Sequence, residues 1–305
     1  MFRAELLKLR STRTPWIIAA VAAAGMVLTQ VVTLVLPRTL GTLGGLGALG
    51  SGDGAGLTVG TPMTPADTAE LTADLGALTD LGSADAQRGL LDLLGSGAGG
   101  AASSGITALC MLLLGVLAVT TDFRTGGMVP TALVVPDRLR ILAGKAGATA
   151  VVAVVTGGVL ALLTAVGLVV AVATTPDASL VLGAGEVLGV WGRGLAVLVL
   201  LTWLGLAVGT LVRGQVAAIV VVASLALVEP LVQTMALVLS GGTASLTSWL
   251  PLTLGSLAST GQAGAAQLFG GSAAMGAGTA LAGLLAWAAV LLGVAAVVFR
   301  RRDLA

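Results

Sequence analysis

Glu229 and Pro230 are adjacent residues in a long apolar run, and this position invites a chemical role more than any other in the sequence. An ionisable side chain at the centre of a membrane span costs about 2.5 kcal/mol or more, and such residues commonly mark ion or substrate pathways. Proline removes a backbone donor and kinks a helix, which frees carbonyl groups nearby. The pair therefore predicts a pathway or gating position. An equally good explanation is a protonated or hydrogen-bonded glutamate at a helix interface.

The sequence lacks the side chains on which most enzyme sites depend. It contains no histidine and no tyrosine, and Cys110 is its only cysteine. Histidine is the commonest general base and metal ligand, and a single cysteine allows neither a disulfide framework nor a cysteine metal site. We therefore expect no catalytic residues, no metal and no cofactor, and the chain is not predicted to be an enzyme.

The first fourteen residues carry apolar and charged side chains on different sides of a predicted helix. Phe2, Leu6 and Leu9 share its apolar face. The charged candidates in this segment are Glu5, Lys8 and Arg10. The pattern is typical of a helix in the membrane interface, with basic residues near anionic headgroups. Residues 1–14 are therefore predicted to form an interfacial helix, which is either a lever contacting a cytoplasmic partner or a topology anchor.

A second polar segment, residues 122–145, predicts a sharp turn followed by a short basic helix that begins near Pro136. The turn combines an acid, an aromatic ring, an arginine and a glycine, and the helix brings two more arginines. The candidate residues are Asp122, Phe123, Arg124, Gly126, Arg138 and Arg140. On this pattern alone the segment is a compact basic surface, and any cytoplasmic loop can be basic.

The composition shows which scaffold must position these residues. The chain is 56% hydrophobic and 10% charged, with a mean hydropathy of +1.05, whereas soluble domains carry about 25% charged residues. A bilayer core of about 30 Å requires roughly 20 apolar residues in a helix. We predict an all-α polytopic membrane protein with six transmembrane helices, near residues 15–36, 102–121, 146–174, 194–212, 216–239 and 275–299.

Positive charge orients these spans, because cytoplasmic flanks retain lysine and arginine. Most of the 15 basic residues flank alternate ends of the six spans. These are Arg3, Lys8, Arg10, Arg13, Arg124, Arg138, Arg140, Lys145, Arg213, Arg300, Arg301 and Arg302. Both termini are therefore predicted to be cytoplasmic. Residues 37–101, which are acidic on balance, become a long extracytoplasmic loop, interpreted as a solvated spacer with ligand binding as the weaker alternative.

Two further features lie near the predicted outer side. Glu186 and Arg193 are seven residues apart, so they share a helical face and are predicted to form a structural pair. Residues 241–273 contain no charged side chain and include Trp249. They are predicted to form a re-entrant segment, or else an interfacial loop anchored by that tryptophan.

The opening ELLKLRSTRTPW (residues 5–16) and the elbow DFRTG (residues 122–126) resemble the ABC-2 type permeases, the membrane subunits of bacterial ATP-binding-cassette exporters. The resemblance covers nearly the whole chain, since six spans, a large outer loop after the first and a basic loop after the second recur in order. Asp122 stands where that family usually has glutamate, and Phe123 where tyrosine is frequent.

The resemblance implies that residues 1–305 form a single transmembrane domain in the plasma membrane of a bacterium. It also implies that the interfacial helix and residues 122–145 contact a separate ATPase, with Arg124, Arg138 and Arg140 as candidates for charge-assisted contacts to it. Two permease copies, or this chain and a close relative, are expected to work together. The sequence contains no phosphate-binding loop, because Gly144-Lys145 lacks the remainder of that motif. Nucleic acid is not an expected partner, since the cations form no single patch and aromatic residues are only 3%. The competing interpretation is a non-transport membrane anchor, sensor or immunity protein that positions a partner.

Overall fold

Helices account for nearly all of the structure. A computed structural model of the chain describes residues 2–49, 82–95, 105–127, 137–175, 179–239, 246–261 and 275–301. The described helices are α1 (Phe2–Ser11), α2 (Arg13–Leu49), α3 (Ala84–Leu90), α4 (Ile106–Arg124), α5 (Arg138–Thr174), α6 (Ala184–Val212), α7 (Gln215–Leu239), α8 (Pro251–Thr260) and α9 (Ala277–Arg301). A 3-10 turn, Leu246–Trp249, precedes α8.

Six of these helices are long and apolar enough to cross a membrane, which confirms the predicted six-span, all-α class. They are α2, α4, α5, α6, α7 and α9, and the apolar windows of α2 and α7 are Arg13–Val35 and Gln215–Gln233. Their outer faces carry many exposed leucine and valine side chains, such as Leu162, Leu227 and Leu239. In lipid, such a face needs no covering by protein.

Three predicted boundaries differ from those observed. The basic residues expected in a separate short helix lie in the first turns of α5, which continues from Arg138 to Thr174 without a break. The helix of the first span runs on to Leu49, so residues 37–49 of the expected loop are helical. Farther along that loop, Leu90 to Leu94 pack into the bundle with most of their side chains fully buried. The prediction of a solvated spacer is therefore wrong for residues 90–94.

The segment predicted to be re-entrant or interfacial contains α8, which is described from Pro251 to Thr260. Ten residues span about 15 Å, which is half of a bilayer core. Most of α8 is buried, chiefly against α6 and α9. Trp249, just before it, is 53% exposed, and its carbonyl accepts a hydrogen bond from Trp287 Nε1 at 3.0 Å. Burial of the helix favours the re-entrant interpretation over a plain loop.

Helix α6 is the centre of the bundle, since it packs against α4, α5, α7, α8 and α9. Its closest neighbour is α4. The two helices can approach closely because each has a glycine at the point of contact. A Cβ atom on Gly115 would lie 1.9 Å from the carbonyl oxygen of Thr202, and one on Gly205 would lie 2.0 Å from that of Leu112. The two backbones are therefore in direct contact, as in small-residue packing of membrane helices.

The described charged residues other than Glu229 gather mainly at two separate ends of the bundle. Contacts join Lys8 to Asp122, Arg213 to Phe123 and Arg138 to the carbonyl of Phe299. We call this the basic end: α1, the last turn of α4, the first turns of α5, the α6–α7 turn and the last turn of α9. The opposite end holds Asp85, Arg88, Asp92, Glu186 and Arg193. Helix α9 begins beside Gly261 at the opposite end and spans about 37 Å to the basic end.

The contact between α4 and α6 generates a stability prediction. Gly115→Ala and Gly205→Ala each place a methyl group against a carbonyl, so each is expected to lower the free energy of unfolding by about 1–3 kcal/mol or more. The control is Gly158→Ala on α5, where an added Cβ meets nothing within 4 Å, and the better helix propensity of alanine should leave stability unchanged or slightly higher. Thermal unfolding in detergent measures both. Equal midpoints for the three variants would contradict the close contact.

Candidate functional site at the basic end

Four charged residues from three helices meet in a buried cluster at the basic end: Glu5 and Lys8 of α1, Asp122 of α4 and Lys145 of α5. The sequence singled out Glu5, Lys8 and Asp122 separately, and the structure brings them together. We call these four residues the charge cluster. It contains two cations and two carboxylates, so it is electrically balanced within itself.

Lys145 is the centre of the charge cluster. It is 2% exposed, and its Nζ donates to Glu5 Oε2 at 3.1 Å, to the carbonyl oxygen of Ala118 at 3.3 Å and to Asp122 Oδ2. An ammonium group has three N–H donors, and here each has an acceptor. Burying an ion is tolerated only when it is paired and its hydrogen bonds are made. Lys145 meets both conditions, and its partners lie on α1 and α4.

Lys8 completes the cluster from the solvent side. Its Nζ contacts Asp122 Oδ1, while its side chain is 46% exposed and that of Asp122 only 4%. Asp122 therefore receives one cation on each carboxylate oxygen. Removing one partner of a buried pair commonly costs 3–5 kcal/mol because the remaining charge stays buried, whereas a pair open to water contributes about 1 kcal/mol or less. Lys145 should consequently contribute more than Lys8.

Helix α1 lies across the start of α5, so part of the apolar face of α1 packs against protein. A Cβ on Gly147 would come within 3.1 Å of Phe2 Cδ2, which shows that the phenyl ring rests on this glycine. Glu5 is the buried residue of α1. Arg10 is exposed, and its carbonyl accepts a hydrogen bond from Trp16 Nε1 at 3.2 Å, which ties the end of α1 to the first span. The interfacial helix is thus fixed to the bundle at both ends.

The elbow after α4 is formed as the sequence predicts. Gly126 has a φ of +70°, a backbone conformation that suits glycine, and the chain turns there. Phe123 packs edge-on against Phe299 with ring centroids 6.4 Å apart, and the guanidinium of Arg213 lies 5.5 Å from the centroid of Phe123. Cation–π contacts of this kind stabilise by about 0.5–1 kcal/mol at exposed sites. The elbow therefore connects α4 to α9 and to the α6–α7 turn.

The three arginines predicted to face a partner are placed differently. Arg124 is exposed beside a groove of about 490 Å³ that also involves Arg213 and the first turn of α7. Arg140 is 78% exposed, with a single weak pair to Asp137 at 3.4 Å. Arg138 is only half-buried, but its Nη1 donates to the carbonyl oxygen of Phe299 at 3.1 Å. Arg124 and Arg140 therefore face outward, and Arg138 holds α5 to α9.

Glu229 is buried within the bundle, away from the charge cluster. It is 4% exposed, and its Oε1 accepts hydrogen bonds from the backbone N–H of Thr253 at 2.6 Å and from the Thr253 hydroxyl at 2.9 Å. Thr253 is in the first turn of α8, whose N–H groups have no partner within their own helix. Glu229 thus caps α8 from the neighbouring helix. Pro230 lies inside α7, which continues as a helix on both sides of it.

Glu186 and Arg193 do not form the predicted pair. The Glu186 carboxylate lies 3.3 Å from Arg88 Nη2, which also bonds Asp85 through Nη1 at 2.7 Å. Arg193 Nε donates to the carbonyl oxygen of Ser259 at 3.4 Å, so it joins α6 to α8. Glu186 and Arg193 do lie on one face of α6, but Glu186 pairs instead with Arg88, which is distant in sequence.

Sequence reasoning missed the roles of Lys145, Arg213, Thr253 and Gln233. A signal for Lys145 was present, because Glu5 and Asp122 are acids in strongly basic surroundings and each needs a nearby cation. Arg213 has a φ of +60°, a backbone conformation that no pattern in the sequence predicts. Thr253 and Gln233 are ordinary polar residues until α7 and α8 are placed side by side.

No protein-family model matches the chain, and no curated protein matches it significantly.

The charge cluster generates a second stability prediction. Lys145→Met leaves Glu5 and Asp122 facing each other without their shared cation, so we expect a loss of about 3–5 kcal/mol in unfolding free energy. Lys8→Met is the matched control, with an expected loss of about 1 kcal/mol or less, because Lys8 is half exposed. Thermal melting of the purified variants compares the two. Similar losses would show that Lys145 is not the buried centre of the cluster.

Proposed function

We propose that this chain is the membrane-spanning permease subunit of an ATP-driven exporter in a bacterial plasma membrane. It would act with a separate ATPase and with a second copy or a close relative of itself. The observation that supports this most is the charge cluster, because it joins the N-terminal helix, the end of α4 and the start of α5. These are the segments that, by resemblance to ABC-2 type permeases, meet the ATPase.

A coupling surface has to pass movement to the membrane spans without bending. Lys145, Asp122 and Glu5 provide that stiffness, since a displacement of α1 away from α4 would separate buried opposite charges. Helix α5 then extends about 43 Å beyond Lys145 towards the opposite end. A push on the exposed part of the elbow therefore reaches α4 and α5 together.

The exposed cations at the basic end suit a contact with an acidic protein surface. Arg124 and Arg140 are exposed on two sides of this surface, and among the described residues no buried carboxylate pairs with either of them. Arginine is well suited to such contacts, because its planar guanidinium binds carboxylates in a bidentate manner. The same end would face the cytoplasm by the positive-inside rule, which places it on the side where ATP is available.

Orientation is directly testable. In a Cys110→Ser background, Thr125→Cys at the basic end is expected to remain unlabelled by a membrane-impermeant maleimide in intact cells, and Asp85→Cys at the opposite end is expected to be labelled. Both side chains are exposed, so permeabilised cells should show labelling of both as a control. The reverse pattern would place the termini outside and end the proposal that a cytoplasmic ATPase binds the basic end.

Coupling is tested with the ATP-binding-cassette subunit encoded nearest to this gene. We expect the wild-type chain to co-purify with it, and Arg124→Ala with Arg140→Ala to reduce ATPase stimulation at least tenfold while membrane levels stay normal. Arg88→Ala at the opposite end is the control and should retain co-purification. Failure of the wild-type chain to bind any such ATPase would favour the non-transport anchor instead. Undiminished stimulation in the double variant would reject the two arginines as coupling residues.

A further inference from the structure

Within the described residues, two buried oxygen atoms in the second half of α7 have no hydrogen-bond partner: Glu229 Oε2 and Gln233 Oε1. They belong to residues four apart on α7, which places them on one face of that helix. Both residues also contact Thr253 of α8. A pair of acceptors in a buried, apolar site is unfavourable unless a donor or a cation lies between them.

The hydrogen bonds of Thr253 fix the direction of the network. Its hydroxyl has one proton, and the short contact to Glu229 Oε1, at 2.9 Å, uses it. The hydroxyl oxygen is therefore an acceptor for Gln233 Nε2, at 2.6 Å. The amide of Gln233 must then turn its carbonyl oxygen away from Thr253. That carbonyl oxygen and Glu229 Oε2 are the two acceptors of this network that have no donor.

We infer that Glu229 is a proton-binding site, and that its bound proton lies on Oε2 and is donated to Gln233 Oε1. This one proton satisfies both acceptors and closes a ring of hydrogen bonds through Gln233, Thr253 and Glu229. The neutral acid still accepts the backbone N–H of Thr253, so α8 remains capped by α7. The inference goes beyond the proposed function, because it concerns the chain alone and requires no ATPase.

Among the described residues no counter-ion faces an ionised Glu229, whose charge would meet only the N–H groups of Leu252 and Thr253 and the Thr253 hydroxyl at the start of α8. Helices α4, α6 and α8 and the 3-10 turn pack against α7. Their described charged residues, Asp122, Arg124, Glu186 and Arg193, lie towards the two ends, and within the described ranges no cation is within 4.0 Å of the Glu229 carboxyl. Residues 246–261 and the rest of α7 carry no charge.

A metal cation is a poorer occupant than a proton. Hard cations take about six or more oxygen ligands, whereas only two oxygens lack a partner here. The Thr253 hydroxyl is already occupied as both donor and acceptor. A proton requires only one donor atom and one acceptor atom, and those two are present.

The test uses the full chain in lipid nanodiscs. Infrared spectra of the wild type minus Glu229→Gln at neutral pH are expected to contain one band from a protonated carboxylic acid, unchanged when sodium or potassium is added. Gln233→Leu should move this band to higher frequency, because the acceptor of the proton is lost. Absence of the band, or its loss on adding either cation, would overturn the inference, and the Gln233→Leu shift tests it even if Glu229→Gln fails to fold.

Thermal unfolding gives an independent readout. Glutamine has the hydrogen-bonding pattern of the neutral acid, so Glu229→Gln should match the wild-type midpoint below about pH 4, where an unfolded glutamate is protonated too. Glu229→Ala should lower the midpoint. Above that pH, a proton bound in the folded state is released on unfolding, which makes wild-type stability fall as pH rises. The wild-type midpoint is therefore expected to drop progressively below that of Glu229→Gln between acidic and alkaline pH. Parallel curves for these two proteins, or a Glu229→Gln variant as unstable as Glu229→Ala, would contradict a bound proton.

Discussion

A lysine ammonium removed from water needs an acceptor for every one of its protons, and the basic end of this protein is arranged around that requirement. Lys145 begins the apolar part of α5, and its acceptors come from Glu5, Asp122 and the carbonyl of Ala118. None of these is its sequence neighbour. The demand of one buried cation therefore determines where α1 lies and how the end of α4 approaches α5.

The same requirement explains why the two ends of the bundle differ. At the basic end, charge is concentrated inside and balanced, and the remaining arginines face outward or hold helix ends, as Arg138 does with Phe299. At the opposite end, Arg88 joins Asp85 and Glu186 in a more exposed group, where ion pairs contribute little to stability. Between the ends, packing depends on shape, and the glycine contacts of α4 and α6 are the closest.

The sequence was sufficient for the class of fold, because the length and polarity of each apolar run are set by the bilayer and not by neighbouring helices. The six spans and the glycine of the turn after α4 follow from local patterns, which also selected Glu5, Lys8 and Asp122 as candidates. The cytoplasmic location of the termini, the ATPase and the second subunit stay predictions.

Partner choice could not be read from local patterns. Glu186 shares a face with Arg193, but it pairs with Arg88, which is far away in sequence. The burial of Leu90 to Leu94 likewise depends on α5 and α6, which approach only after folding. Spacing along a helix gives the side chains that can meet, and tertiary packing decides which of them do.

The backbone conformation of Arg213 lowers the stability of the folded protein. A positive φ in a residue other than glycine is strained by about 1–3 kcal/mol, and Gly214 directly follows without relieving it. Glycine at 213 would remove the strain and also the cation above Phe123. The strained turn between α6 and α7 therefore lowers stability but attaches this turn to the elbow. A substitution that relaxes the turn to raise heat tolerance would loosen the surface on which the proposed coupling depends.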